Sequence, residues 1–166
     1  MSELSKQMTY GYYILTALKK ADNLKTREKD YVAAGTVNWV SQVSFSPEIL
    51  SVAVGQASDL NETIDYSGHF TVHILSKDHK EYVQKFASKS TIDDGKINGV
   101  PFEKQHDQAI VEGTLGYLTC KVVESIQVGD HRVYFGEVIK QEIHEDKAAL
   151  CTMELPTTYT KDNAAI

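Results

Sequence analysis

Short apolar runs, rich in aromatic and β-branched side chains and separated by polar stretches, make up most of the chain. Such runs are typical of β-strands, because these side chains pack well on a pleated surface. They predict strands over residues 12–17, 31–37, 40–45, 49–54, 69–75, 116–126 and 132–143, with a last strand over 148–153. The two long runs 116–126 and 132–143 are separated by Gln127-Val128-Gly129-Asp130, which predicts a hairpin turn.

Two segments predict short helices instead. Residues 58–67 begin with Ser58 as a capping hydroxyl, carry acidic side chains in the first turn and stop before Gly68. Ser76 is the predicted cap of a second helix over 77–87. Many strands at near-even spacing, with only two short helices, indicate a closed or nearly closed antiparallel barrel.

Composition narrows the class of protein. The chain has 166 residues, 17 Lys and Arg against 23 Asp and Glu, and a formal net charge of -6. This length predicts one domain over residues 1–166, and the acidic balance argues against nucleic-acid binding, which needs a basic surface. Cys120 and Cys151 form no Cys-x-x-Cys pair and suggest free thiols in a reducing compartment. Without a long apolar stretch or an apolar signal core in residues 1–8, the sequence predicts a cytoplasmic protein.

Several catalytic motifs are absent from the sequence. There is no Gly-x-Gly-x-x-Gly dinucleotide fingerprint, no P-loop and no Gly-x-Ser-x-Gly nucleophile elbow. His69 and His73 are spaced like a metal pair, but in a strand four residues span roughly 13 Å. We therefore expect no metal site here. We interpret the two histidines as neighbours on one face of a strand, a face that could lie at a subunit contact.

Three ordered segments carry a resemblance to a known family. They are residues 36–47, which contain Asn38-Trp39-Val40-Ser41, residues 58–75, and residues 128–138, in which Gly129-Asp130-His131 is followed by Gly136-Glu137-Val138. In this order and spacing the chain resembles the flavin reductase-like family of FMN-binding split barrels. It is most similar to the branch of flavoredoxins and NAD(P)H:flavin reductases. The resemblance runs from about Tyr10 to Tyr159 and leaves frayed termini outside the core.

The resemblance implies a mainly β fold: a six-stranded antiparallel Greek-key split β-barrel with two or three short helices, assembled as a homodimer. It implies FMN in a groove at the dimer interface, with NADH or NADPH as the electron source. The expected function is flavin-based electron transfer from NAD(P)H or from a redox partner protein. Two alternatives stay open: an electron carrier without a nicotinamide pocket, and a flavin-free split barrel that binds another ligand or partner.

The resemblance also assigns residues near the flavin ring. The isoalloxazine is expected to lie against Asn38, Trp39, Val40 and Ser41. His131 is the candidate catalytic residue, because an imidazole at this position can hydrogen-bond the flavin edge or contact the nicotinamide. The structural alternatives are core packing for Trp39 and, for His131, a turn histidine capped by Asp130.

Other candidates belong to the phosphate end of the cofactor. The resemblance implies that the phosphate lies at the start of the first predicted helix, at Gln56, Ala57, Ser58 and Asn61, where the helix offers free amides to an anion. Further cofactor-binding candidates are Lys89, Ser90 and Lys96, which supply positive charge and a hydroxyl, and Tyr159 close to the flavin. The alternative for the two lysines is that they are solvated loop charges.

The same helix start departs from the family pattern. Leu60 stands where relatives carry Ser or Thr, and no lysine is present at Gln56 or Ala57. Asp59 and Glu62 add negative charge to the turn, which disfavours a phosphate dianion. This departure motivates the flavin-free alternative.

Overall fold

The structure, a computed structural model, describes residues 2–21 and 29–151. The elements of the first half are a 3₁₀ turn (Ser5–Gln7), β1 (Tyr13–Lys19), β2 (Tyr31–Val37), β3 (Val40–Phe45), β4 (Glu48–Gly55), α1 (Asp59–Ser67) and β5 (His69–Ile74). The second half contains a 3₁₀ turn (Lys77–His79), α2 (Lys80–Lys85), β6 (Ile92–Asp93), β7 (Lys96–Ile97), β8 (Val100–Gln105), β9 (Gln108–Val111), β10 (Gly116–Val128) and β11 (His131–Ile143).

The strands form two antiparallel sheets. The larger sheet has seven strands in the order β2-β1-β5-β10-β11-β4-β3, and the smaller has four in the order β6-β7-β8-β9. The fold is therefore mainly β and antiparallel with short helices, as the sequence predicts. The pairing differs from the predicted six-stranded barrel, and no backbone pairing within the described residues joins β2 to β3 at the two ends of the larger sheet.

Two apolar cores lie on opposite faces of the larger sheet. In β1, Ile14 belongs to the core beneath α2 and the smaller sheet, whereas Leu15 belongs to the core beneath α1. Burial on both faces explains why β1 is an unbroken apolar run rather than an alternating one. The core beneath α1 also joins Val37 of β2 to Val52 of β4. Because β2 and β4 lie near opposite ends of the strand order, the larger sheet curls around this core.

Gly136 of β11 allows this core to close. A Cβ at this position would lie 2.5 Å from Cζ of Phe70 and 2.7 Å from Cβ of Cys120, and both of those residues are fully buried. The glycine is therefore needed for packing rather than for a turn. Burial and the nearby charge of Glu48 raise the pKa of the Cys120 thiol to about 12, so Cys120 behaves as a small apolar side chain.

The sequence pattern does not predict the four strands of the smaller sheet. Three of them are short or largely polar, with Pro101 inside β8, and β9 is buried but only four residues long. Their turns do carry a signal, because Asp94-Gly95 and Asn98-Gly99 have positive φ at every position. This geometry is typical of two-residue hairpin turns, for which Asp-Gly and Asn-Gly are the preferred sequences.

The second predicted helix is shorter than its pattern indicates. Ser76 caps a 3₁₀ turn at Lys77–His79, and the α-helix covers only Lys80–Lys85. In the described part of the chain, no helix combines the length and apolarity that a membrane span requires. The last predicted strand is also reduced, because residues 148–151 contribute only isolated bridges and residues 152 and 153 lie outside the described range.

His73 lies inside the molecule, so the interpretation of a subunit contact is wrong for this residue. Its Nδ1 donates to the carbonyl oxygen of Ile14 and its Nε2 accepts from the N–H of Val111, each over 3.0 Å. Burial lowers the pKa of His73 to about 4. The sequence could not distinguish this site from a surface one, because β9 covers a strand face that the pattern leaves open.

Candidate functional site

Trp39 and His131 form a tilted ring pair on one face of the larger sheet, in which His131 is buried and Trp39 is partly exposed. Their ring centroids are 4.8 Å apart with 51° between the planes. Tyr10 approaches Trp39 edge-on, with centroids 6.4 Å apart. The structure thus brings together an aromatic residue between β2 and β3 and the histidine that begins β11.

Backbone pairing positions both rings. The carbonyl oxygen of Trp39 accepts a hydrogen bond from the N–H of Ala53, and His131 is the register partner of Gly55 two residues further along β4. Side chains two residues apart lie on the same face of a strand. Trp39 and His131 therefore share the outer face of the sheet, and Trp39 is 39% exposed. This exposure contradicts the alternative that Trp39 is a core residue.

The Gly129-Asp130 turn holds the imidazole in one orientation. Of these two residues only Gly129 has a positive φ, a pattern typical of type II′ hairpin turns. Nδ1 of His131 donates to a carboxylate oxygen of Asp130 over 2.6 Å, and this contact lowers the pKa of Asp130. The structural alternative for His131 predicted this contact with Asp130, and the contact is present together with the ring pair. Because Asp130 binds Nδ1, Nε2 is left for another partner.

The turn between β4 and α1 is tied to the same corner. Most of its main-chain N–H groups donate to acceptors of the protein itself: Gln56 to the Asp130 carbonyl (2.9 Å), Ser58 to the Gly55 carbonyl (3.0 Å), Asn61 to the Ser58 carbonyl (3.1 Å) and Leu60 to Ser58 Oγ (3.3 Å). The first of these bonds links the turn directly to the hairpin that carries His131. The candidate residues 56–58 and His131 therefore belong to one structural unit.

Asn61 and Tyr134 anchor the helix end of this turn. Nδ2 of Asn61 donates to the carbonyl of Gly55, and the Tyr134 hydroxyl contacts Oδ1 of Asn61 at 3.0 Å. The same hydroxyl lies 3.0 Å from Oδ1 of Asp65, whose other oxygen accepts from Arg132 over 2.7 Å. Burial and the Asp65 carboxylate raise the pKa of Tyr134 to about 12, so its proton stays in place as a donor.

Negative charge surrounds the first turn of α1. Asp59 and Glu62 both lie in this turn. The hydroxyl of Tyr31 at the start of β2 donates to Oδ2 of Asp59 over 2.5 Å. Burial, the hydrogen bond to Asp59 and the charge of Glu62 raise the pKa of Tyr31 to about 12. The first turn of the helix thus carries negative charge from the protein itself.

The second group of phosphate candidates is not joined to this turn. The Ser90 hydroxyl accepts from the N–H of Ala34 and donates to its carbonyl, which fixes the loop after α2 to β2. Lys89 and Lys96 are exposed, and within the described residues neither forms an ion pair. In the single chain both lysines are exposed loop charges, and their role at a phosphate stays a prediction.

The remaining candidates divide between the two faces. Val40 pairs with Val52 and contacts the core, so its side chain does not share the face of Trp39. Ser41 is exposed beside Ser51, and Asn38 is half-buried between the strands. Gln56 and Ala57 are exposed in the turn. Tyr159 lies outside the described residues.

Sequence reasoning missed several residues that build this corner. Tyr10, Tyr31 and Tyr134 contact candidate residues, yet each lies in a run that predicts only a strand or its edge. Only the density of tyrosines in the chain, nine in all, gave a signal. A tyrosine often supplies both an apolar ring and a polar hydroxyl.

A separate cavity of about 570 Å³ lies on another part of the surface. Its walls come from β5, the β8–β9 turn, β10 and β11, and include His69, Lys104, Gln108 and Lys140. Trp39 and His131 do not line it. The ring pair, in which Trp39 is exposed and His131 is buried, is therefore not part of this cavity.

Several relatives of the chain are named as reductases. The chain is 28% identical over 107 residues to the reductase component of a 4-nitrophenol 4-monooxygenase/4-nitrocatechol 2-monooxygenase from Rhodococcus opacus, a match that covers 64% of this chain and 56% of that protein. It therefore spans little more than half the length of that relative. It is 24% identical over 147 residues to a ferric-chelate reductase (NAD(P)H) from Archaeoglobus fulgidus, covering 87% of this chain and 82% of that one.

The fold has solved counterparts. The flavin reductase PheA2 in its native state superposes with a TM-score of 0.71 at 26% identity, covering 91% of this chain and 93% of that chain. The family model described as flavin reductase like domain matches residues 4–163 of this chain. Since that match includes both the β4–α1 turn and the hairpin with His131, the protein belongs to the flavin reductase-like domain family.

Proposed function

We propose that this protein is a flavin oxidoreductase that binds FMN against the Trp39–His131 ring pair and takes electrons from NADH or NADPH. The observation that carries the proposal is the pairing of these two rings at an exposed corner of a flavin reductase-like fold. A second candidate, electron transfer from a redox partner protein without a nicotinamide pocket, uses the same ring site.

The residues present fit the ring part of a flavin. An isoalloxazine is flat and largely apolar, with a polar edge that needs hydrogen-bond partners. Trp39 and Tyr10 offer aromatic surface, and Ser41 lies on the same side of the strand as Trp39. The phosphate part fits poorly, because the turn at the start of α1 carries Asp59 and Glu62 and no basic side chain.

His131 is the residue for which we propose a role next to the reacting atoms. A flavin bound here would supply the hydride-accepting chemistry, with a reduced nicotinamide as the donor. Because Asp130 fixes Nδ1 of His131, the orientation of Nε2 is set before any ligand arrives. Nε2 can then hydrogen-bond the flavin edge or the nicotinamide carboxamide, which orients the two rings.

We propose that two copies of the chain complete the groove as a homodimer. Ile126, Val133 and Ala53 are register partners across three strands, on the face that also carries Trp39. Ile126 is 53% exposed, as expected for a surface that a partner covers. The curling of the larger sheet around the core beneath α1 supports the split-barrel form of each copy.

A protein partner is part of the proposal. The Rhodococcus relative is named as the reductase component of a monooxygenase. By analogy, reduced flavin from this protein would pass to a separate enzyme. The flavin-free alternative is supported by the acidic turn at Asp59 and Glu62, and it predicts a colourless protein that does not take up FMN.

The single tryptophan provides the test. Trp39 is the only tryptophan in the chain, so its fluorescence reports on the proposed site alone. Titration of the flavin-free protein with FMN should quench this fluorescence to saturation, and added NADH or NADPH should then be oxidised. Quenching without oxidation of either nicotinamide would favour the electron carrier. No quenching and no FMN uptake would overturn the proposal in favour of the flavin-free alternative.

A further inference from the structure

The β4–α1 turn has few hydrogen-bond donors to offer a phosphate. The N–H groups of Gln56, Ser58, Leu60 and Asn61 all donate within the protein. A phosphate bound at a helix N-terminus normally uses such first-turn amides. At this helix Ser58 has already capped one of them, so among the described residues of this turn only the N–H groups of Ala57 and Asp59 are left without an acceptor in the protein.

The polar side chains at the proposed phosphate end also form hydrogen bonds within the protein. Asn61 donates to Gly55 and its amide oxygen contacts the Tyr134 hydroxyl. Ser90 forms two hydrogen bonds to the main chain of Ala34. These two side chains, which the sequence assigns to the phosphate, thus already form hydrogen bonds within the protein.

The negative charge at the start of α1 also disfavours a bound phosphate. Asp59 lies in the first turn of α1 and is held there by the Tyr31 hydroxyl, and Glu62 is in the same turn. The candidate cations Lys89 and Lys96 make no described contact with that turn. Arg132 lies beside α1 but is already paired with Asp65. Among the described residues, a phosphate placed at the first turn of α1 would therefore meet two carboxylates and no unpaired cation, which is unfavourable at short range.

We infer that this protein recognises the riboflavin part of a flavin and not its phosphate, with Asp59 as the residue that removes the advantage of FMN over riboflavin. The inference rests on the proposed function and names its substrate class: flavins in general, bound through the ring and exchanged with solvent. Flavins that differ only beyond the ribityl chain bind with similar affinity.

Affinities for riboflavin and FMN test this inference directly. Flavin-free protein is titrated with each compound while Trp39 fluorescence is followed. The expected FMN affinity is less than about tenfold tighter than that for riboflavin, a difference below about 1.4 kcal/mol. A preference of tenfold or more for FMN overturns the inference and leaves the proposed function intact. Failure of both flavins to bind overturns the proposed function itself.

Salt gives a second readout with a definite sign. Raising the ionic strength from about 10 mM to about 100 mM shortens the Debye length from about 30 Å to about 10 Å. Riboflavin is uncharged, so its affinity should not change. FMN affinity should stay constant or rise, because screening reduces repulsion by the acidic turn. A loss of FMN affinity with salt would indicate a cationic clamp and would overturn the inference.

A charge variant isolates Asp59. Asp59→Asn keeps a side-chain oxygen for the Tyr31 hydroxyl but removes the charge. We expect FMN to bind about threefold to tenfold more tightly, with riboflavin unchanged. Glu81→Gln, in the first turn of α2, removes the same charge away from the site and serves as the matched control. Equal effects of the two variants, or unchanged FMN affinity in Asp59→Asn, would overturn the role of Asp59.

Discussion

His131 lies against Trp39 with ring centroids 4.8 Å apart, and its Nδ1 is held by Asp130 at 2.6 Å. One contact fixes the position of the imidazole and the other fixes its rotation. Because the imidazole is already restrained, it loses less conformational entropy when its second nitrogen hydrogen-bonds a ligand. The pair thus forms a preorganised wall at the proposed flavin site.

Replacing His131 by alanine should weaken flavin or nicotinamide binding. The variant loses the ring contact and the Nε2 donor or acceptor, which we expect to raise Kd by about tenfold for at least one of the two ligands. Titrations followed by Trp39 fluorescence measure the flavin effect, and nicotinamide oxidation measures the other. His106→Asn, at an exposed turn position with positive φ, is the control. Unchanged affinity for both ligands, with cooperative melting retained, would remove His131 from the site.

Replacing Tyr134 by phenylalanine should loosen the β4–α1 turn. The hydroxyl contacts both Asn61 and Asp65, and its loss should cost about 1–2 kcal/mol in the free energy of unfolding. We also expect flavin Kd to rise by about threefold, since a mobile turn orders on binding. Urea unfolding and flavin titration measure the two effects. Tyr66→Phe, an exposed tyrosine of α1, is the matched control, and lowered stability with full flavin affinity would show that Tyr134 has only a structural role.

His73 should make stability depend on pH in the acid range. Its pKa is about 4 in the folded protein because of burial, and that of an unfolded histidine is about 6.5. Between these values the unfolded chain binds a proton that the folded protein does not, so stability falls as pH decreases from about 6.5 to about 4. The contribution lost by pH 5 is about 2 kcal/mol.

The measurement compares urea unfolding at pH 7.5 and pH 5.0 for the wild type and for His73→Gln. Other titrating groups contribute equally to both proteins, so the difference between their pH dependences isolates His73. The wild type should lose about 2 kcal/mol more than the variant. Identical pH dependences would show that His73 is not a buried neutral histidine, and His106→Asn should behave as the wild type.

Replacing Gly136 by alanine should destabilise the fold. The added methyl would lie 2.5 Å from the ring of Phe70 and 2.7 Å from Cβ of Cys120, and relief of that overlap should cost about 1–3 kcal/mol. Thermal unfolding measures the loss. The second change Phe70→Leu makes room at the ring, so the double variant should lose less than the sum of the two single changes. Simple additivity would show that Phe70 is not what excludes a side chain at Gly136.

Local elements could be predicted because their causes are local. The strands over 31–37 and 40–45 have the bounds that their residue types predict. Ser58 caps α1 and Gly68 ends it in a left-handed conformation, as the sequence indicates. The smaller sheet was missed because three of its four strands have only two to four residues and show no period, although its Asp-Gly and Asn-Gly turns were visible.

The sequence by itself determined the strand-rich pattern, the caps of α1 and, through the order of its motifs, the flavin reductase-like family. Only the tertiary structure decided that Trp39 contacts the ring of His131, that His73 lies beneath β9 and that Asn61 and Ser90 are already hydrogen-bonded. The physical reason is that a donor or ring becomes available to a ligand only if no distant residue has taken it. That competition is settled by packing between strands far apart in the chain, and a linear pattern does not contain it.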